Sequence, residues 1–356
     1  MNRPIYFPAI DGLRFLAFLL VFIYHFGFVI SHFLSYIGWT GVELFFLLSG
    51  FLLTKILVAE QSQSGSIQLY KFFMRRIFRI WPLYFLYLSA IVITSLFVID
   101  YPLSVSRLFG NIFFYDNIIT AVNGFNKNLA TGHLWSISVE EQYYIVLPFL
   151  VPWLAKPGTK KTGLFIIVSF ILLFVSRYFF VLAGFRYAAV YVLPFSADSF
   201  LAGIILGLGT YDIWLKKINS TMAFITGAAL LTLLYFLPHM TVIDYSQILT
   251  YFIPAVAFFF IFISVVYTER GLLYWIFSNN LIRYLGKISF GLYVFHVIAN
   301  RITHHFFYKL NEPVDFRGFI CSLFITILLA VLSYELIEKH FLKIKNRFTV
   351  IKNRHN

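Results

Sequence analysis

Apolar stretches of about 20 residues recur from one end of this chain to the other, each long enough to cross a hydrocarbon core of roughly 30 Å as a helix. Lipid is the solvent that suits such a chain. Of its 356 residues 60% are hydrophobic and 12% charged, about half the charged share of ordinary soluble domains. Ten stretches qualify as spans: Ala9 to Ile30, Thr40 to Leu57, Trp81 to Ile99, Val139 to Leu154, Gly163 to Ala183, Ala188 to Gly209, Thr221 to Pro238, Gln247 to Tyr267, Leu285 to Phe306 and Phe316 to Leu336. Turn residues punctuate the breaks, among them Lys156-Pro157-Gly158, Lys216-Lys217, Pro238 and Asn311-Glu312-Pro313. The sequence predicts an all-α integral membrane protein, a bundle of about ten transmembrane helices.

Orientation follows from Lys and Arg, which favour loops that stay in the cytoplasm. An even number of spans puts both termini on one side. Placing them inside collects Lys55, Lys71, Arg75, Arg76, Arg79, Lys156, Lys160, Lys161, Lys216, Lys217 and the basic C-terminal residues on the cytoplasmic face. Both termini are therefore expected there, and basic loops facing anionic lipid account for the net charge of +13 without nucleic acid. No small-residue cleavage site follows the first apolar run, so the first helix is expected to be retained. Residues 1–338 read as one transmembrane domain and 339–356 as a basic cytoplasmic tail. The outer segment from Asp100 to Ser138 has room for a short interfacial piece, and Gln68 to Arg79 reads as a basic amphipathic helix on the inner surface. The single cysteine, Cys321, permits neither an intramolecular disulfide nor a cysteine metal site, and no metal is expected.

Ionisable groups inside spans are costly and mark functional paths. Here they are Arg14, His25, Glu43, Arg177, Asp198, His296 and Arg301. Arg14 and His25 are eleven residues apart, close to three helical turns, so both leave one face about 16 Å apart along the axis. Such a face offers a cation for a phosphate-bearing ligand and an imidazole suited to general-base work; a pair of interhelical hydrogen-bonding residues has the same pattern. Glu43, at the outer end of the next span, is placed either to orient His25 as a carboxylate does in a triad or to sit solvated at the interface. Arg75, Arg76 and Arg79 precede Trp81-Pro82 at an inner surface. Arg76 and Arg79 share a helix face, and three Arg rather than Lys favour fork-like recognition of phosphate over anchoring alone.

The run from Gly132 through His133, Trp135, Ser136, Ser138, Glu140, Glu141 and Gln142 to Tyr144 is a polar and aromatic cluster at an outer interface, equally readable as a capped helix start. Ser289, Tyr293 and His296 share a face of the ninth span, where packing is the default role. The His239-x4-Asp244 pair lies in a short outer loop without a Gly-rich phosphate motif and is attributed to chance. No nucleophile elbow, zinc-protease helix, Walker loop or dinucleotide fingerprint occurs.

Together these residues resemble acyltransferase family three, the bacterial membrane acyltransferases that O-acylate surface glycans. The resemblance rests on Asp11-Gly12-Leu13-Arg14 with the spacing to His25, Gly41-Val42-Glu43 through Ser49-Gly50-Phe51, and Arg76-x-x-Arg79. It continues through Trp135-Ser136 to Glu140 with Gln142-Tyr143-Tyr144, and Gly286 to His296. The family's common Asp is Glu at position 43. The resemblance implies a multi-pass protein of the bacterial inner membrane. Its donor would be an acyl-CoA, usually acetyl-CoA, engaged from the cytoplasm. Its acceptor would be a surface polysaccharide or lipid-linked glycan, most directly lipopolysaccharide O-antigen or exopolysaccharide. On this reading Arg14, Arg75, Arg76 and Arg79 bind the donor. His25 is the base, with Glu43 or Glu140 as orienting carboxylate, and Trp135, Ser136, Ser289, Tyr293 and His296 line the site. The extra outer hydrolase-like domain of some members is not expected. The rival class is a transporter or flippase for an acyl group or lipid-linked sugar, disfavoured by the lack of a clear internal repeat.

Overall fold

The computed structural model describes residues 6–26, 31–97, 104–125, 130–155, 159–185, 188–193, 197–238, 247–268, 271–307 and 315–350. Lys156-Pro157-Gly158, Asn311-Glu312-Pro313 and the His239/Asp244 pair lie outside the described residues. Among the described residues every regular element is helical: α1 (Pro8–Phe26), α2 (His32–Ile37), α3 (Gly41–Ser64), α4 (Leu69–Phe97), α5 (Val105–Ile112), α6 (Asp116–Asn123), α7 (Trp135–Leu154), α8 (Thr159–Leu182) and α9 (Ala188–Tyr191). The second half comprises α10 (Asp198–Leu208), α11 (Asp212–Leu215), α12 (Ser220–Tyr235), α13 (Gln247–Phe262), α14 (Leu272–Phe277), α15 (Asn280–Lys287), α16 (Ser289–Phe307), α17 (Phe316–Ser333) and α18 (Lys339–Asn346).

Six spans are long and apolar enough to cross a membrane, or seven if α15 and α16, bent by 72°, form one. The ten expected stretches all map onto helices, but not all onto full spans. The stretch from Ala188 to Gly209 divides into α9 and α10. The stretch at Thr221 yields only the 16-residue α12, and α7 opens on the polar run from Ser136 to Gln142 and carries Pro148 and Pro152. The basic helix and the third span are instead one element: α4 runs unbroken through Pro82, so its cationic start and its apolar body are rigidly joined. Between α4 and α7, the described part of the outer segment folds into α5 and α6. These are clamped by Arg107, which pairs with Asp116 at 3.3 Å and donates to Thr120 at 2.7 Å.

Lipid tails are as apolar as leucine, so close packing, more than water exclusion, holds membrane helices together. The α3–α10 pair shows how. A Cβ at Gly50 would lie 2.7 Å from the Phe200 carbonyl and one at Gly207 2.7 Å from that of Phe51, while one at Gly203 would strike the Leu47 carbonyl. Phe200 is stacked between Phe46 and Tyr143, with ring centroids 4.4 and 3.8 Å away. This contact fixes the start of α10, where Asp198 and Ser199 stand. On the other side, Gly12 backs onto Phe277 and Gly286 onto Asp11, so α14 and α15 lie against α1 backbone to backbone.

One end of the bundle gathers basic elements. Arg283 donates to Tyr6 Oη at 2.8 Å, beside the start of α1. Arg75, in the first turns of α4, donates to the Phe348 carbonyl at 2.9 Å. The residues expected to form a tail thus include a helix, α18, that continues α17 through a π-helical turn at Tyr334–Glu338 and lies along α4.

Candidate active site

An open cavity is lined by Val21, Tyr24 and His25 of α1 and by Trp39, Val42 and Glu43. Phe125, Trp135, Val190, Tyr191, Tyr251 and Tyr293 complete it. His25 is its chemical centre. Its Nδ1–H donates to the Val21 carbonyl one helical turn back, at 2.9 Å. That bond fixes the tautomer and leaves Nε2 with its lone pair, the form a general base requires.

Behind His25 lie two more imidazoles. The rings of His25 and His296 meet at 5.0 Å, and those of His296 and His133 at 5.0 Å. His296 is 0% exposed and donates through Nδ1 to the Tyr293 carbonyl. His133 donates to the Val294 carbonyl at 3.1 Å. Tyr293 Oη donates to the His133 carbonyl at 2.8 Å and, its proton thus used, accepts from Ser136 Oγ at 2.6 Å. α16 and the start of α7 are thereby locked together beside the base. Ser289 is buried in the first turn of α16 and does not line the cavity.

Among the described residues neither of the two carboxylates expected to orient His25 bonds to it. Glu43 lines the cavity at 2% exposure and accepts from Ser199 Oγ at 2.6 Å. Next to Ser199, Asp198 pairs with Arg177, whose guanidinium lies 5.8 Å over the Tyr251 ring. Glu140 accepts from Ser49 Oγ at 2.5 Å and from Tyr144 Oη, within electrostatic reach of Arg14 and Arg76. The place of the orienting group is taken by a backbone carbonyl. No side-chain pattern announces that, because every helical His has a carbonyl four residues back.

The arginines divide into two kinds. Arg75, 6% exposed, is saturated: it pairs with Glu60 at 2.8 Å and holds the Phe348 carbonyl. Arg14, Arg76 and Arg79 form no ion pair or side-chain hydrogen bond among the described residues, although they cluster within electrostatic reach of one another. Arg76 lies 5.9 Å over the Tyr144 ring, and its Nε is buried without a partner. Arg107 and Arg177, by contrast, are both paired with aspartates. Like charges gathered at half-buried positions with no ion-pair partner repel one another, so this cluster suits a polyanionic ligand. Among the described residues no group of three His, Cys, Asp or Glu side chains is placed to hold a metal ion.

Sequence reasoning passed over Trp39, Phe125, Tyr191, Tyr251 and Ser199, which the fold brings to the cavity or to Glu43. In an aromatic-rich membrane chain nothing local sets them apart. His133 stood within a quoted motif without a role of its own.

A multi-pass helical membrane protein with an imidazole facing a cavity at one level and unpaired arginines at another has the makings of a group-transfer enzyme. Residues 7–335 match the family model described as "Acyltransferase domain", and the chain belongs to that acyltransferase family. O-acetyltransferase OatA of Staphylococcus aureus strain NCTC 8325 is 30% identical over 95% of this chain and 57% of its own length. O-acetyltransferase OatA of strain COL gives the same figures, 30%, 95% and 57%. The chain thus spans a little over half the length of the curated relatives it matches. No solved structure matches it significantly.

Proposed function

We propose that this protein transfers an acetyl or similar acyl group from a cytoplasmic acyl-CoA to a hydroxyl of a surface glycan, such as lipopolysaccharide O-antigen or an exopolysaccharide, in the bacterial inner membrane. The observation that carries the reading lies on α1: the unpaired Arg14 and the cavity-facing His25 stand on one helix face about 16 Å apart, so donor phosphates held at one end place a thioester at the other.

In this mechanism Arg14, Arg76 and Arg79 take the donor's phosphates, and Arg75 braces α4 through Glu60. His25 Nε2 removes the proton of the acceptor hydroxyl as its oxygen attacks the thioester carbonyl; the C–S bond breaks and coenzyme A leaves as thiolate, which regains the proton. The Val21 carbonyl supports the imidazolium formed in between. Glu43, held by Ser199, accepts a hydrogen bond from the sugar, and Trp39, Trp135, Phe125 and Tyr191 supply flat apolar faces for the ring. Glu140 keeps the arginines in register.

The test is chemical. NMR and mass spectrometry of surface glycans are expected to show an alkali-labile ester in cells with the gene and none in cells without it or with His25→Ala. A glycan that stays unmodified while its export stops would establish the transporter class instead.

A further inference from the structure

The family match ends at residue 335, yet the fold carries one more basic element to the arginine cluster. The π-helical turn at Tyr334–Glu338 widens the last helix and turns Glu338 inward, where it accepts from Ser333 Oγ at 3.2 Å. Beyond it, α18 lies against α4. Phe341 and Lys345, one turn apart, share a face of α18, and Phe348 follows in the turn after its end. Both phenylalanines stack on Phe78 of α4, at 6.4 and 5.6 Å between ring centroids. Phe78 stands between Arg75 and Arg79, and Arg75 grips the Phe348 carbonyl at 2.9 Å.

Lys345 is therefore delivered to the side of α4 that bears the arginines. Lys339 and Lys343 of the same helix are exposed, and Lys339 pairs with Glu335 at 2.7 Å; Lys345 is half-buried and has no ion-pair partner among the described residues. The charges that act on it most are Arg79, then Arg76, Arg75 and, least, Arg14. Phe348, three residues on, packs against Arg75 and Tyr70 in the first turns of α4, so Lys345 joins the cluster from the N-terminal end of that helix. Four cations from three helices, none of them in an ion pair among the described residues, form a binding strip of Arg14, Arg76, Arg79 and Lys345, with Glu140 and Glu338 beside it.

We propose that Lys345 binds the 3′-phosphate of the acyl-CoA donor, making the C-terminal helix part of the donor site. The assignment rests on the acyl-CoA reading above and on covalent order. In an acyl-CoA the diphosphate lies nearer the thioester and the 3′-phosphate furthest from it, so with the thioester at His25 the outermost cation meets the outermost phosphate. A compact ammonium suits a single exposed phosphate, whereas guanidinium forks suit the bridged pair.

The experiment measures binding of acetyl-CoA and of its analogue lacking the 3′-phosphate to the full chain in lipid nanodiscs, for wild type, Lys345→Met and Lys345→Arg. One charge-assisted contact corresponds to a loss of about 10- to 100-fold. Wild type is expected to prefer acetyl-CoA by that margin, Lys345→Met to lose the preference while binding the analogue as wild type does, and Lys345→Arg to keep most of it. Wild type binding both equally overturns the proposal even if Lys345→Met fails to fold. So does Lys345→Met retaining the preference. Wild type binding neither compound overturns the acyl-CoA reading itself, and this proposal with it.

Discussion

His25 Nδ1 lies 2.9 Å from the carbonyl oxygen of Val21, one turn back in the same helix. The imidazole is therefore oriented by the helix that carries it, and no distant carboxylate has to arrive for its tautomer to be fixed. His25→Ala is expected to lower acyl transfer by about 10²- to 10⁴-fold with the thermal midpoint little changed. His296→Phe keeps the ring packed against His25 and is expected to have the smaller effect. Equal losses in the two variants, read as transfer rates on purified protein, would show that the histidines act as a unit.

Arg75 and Arg76 are neighbours in sequence with opposite surroundings. Arg75 is enclosed by Glu60 and the Phe348 carbonyl, and Arg76 has neither. Breaking a buried pair from one side costs about 3–5 kcal/mol, so Arg75→Ala is expected to appear as lost stability and expression. Arg76→Ala is expected to raise KM for the acyl donor at nearly unchanged stability. Thermal unfolding and donor titration on the two variants separate these outcomes, and a stability loss confined to Arg76→Ala would reverse the assignment.

The contrast between these two arginines also shows where the sequence stops being informative. Uninterrupted apolar runs made α1, α8 and α13 legible within a few residues, whereas α3 runs past its expected end at Leu57 to Ser64, and the Arg14–His25 relation was legible because both lie in α1. The run from Ala188 to Gly209 concealed a break, since its apolar residues are as compatible with two short helices as with one span. Glu43 and Ser199, 156 residues apart, meet only because glycines let α3 and α10 touch. Lys345 stands near the arginine cluster because α17 continues through a π-helical turn into α18, which packs along α4. Neither long-range pairing nor a π-helical turn leaves a periodic trace in composition.

Glu43 is held by the 2.6 Å bond from Ser199 Oγ, with the Asp198–Arg177 pair beside it. Glu43→Gln preserves volume and still accepts from Ser199 but replaces the carboxyl group that faces the cavity with an amide. A transfer rate lower by about 10-fold is expected, the range of one hydrogen bond, with donor KM unaffected. Ser199→Ala, which leaves the carboxyl group but frees the side chain, is expected to fall between Glu43→Gln and wild type. A change in donor KM in either variant would move Glu43 from the acceptor side of the reaction to the donor side.

Gly203 is the tightest point of the α3–α10 contact, because an added Cβ there meets the backbone of Leu47 and Phe51 rather than a side chain that can turn away. Overpacking usually costs about 1–3 kcal/mol; with backbone on the receiving side, Gly203→Val is expected at or above the upper end. The separation of α3 from α10 also sets the Ser199–Glu43 bond, so activity is expected to fall further than the loss of folded protein explains. Gly65 provides the comparison. It ends α3 with φ +74 and has open space around it, so Gly65→Ala strains only its own backbone, by about 1 kcal/mol, and transfer per folded molecule is expected to stay at the wild-type level. Thermal denaturation together with transfer rate normalised to folded protein distinguishes the two glycines; matching behaviour would mean that the α3–α10 spacing does not govern the cavity.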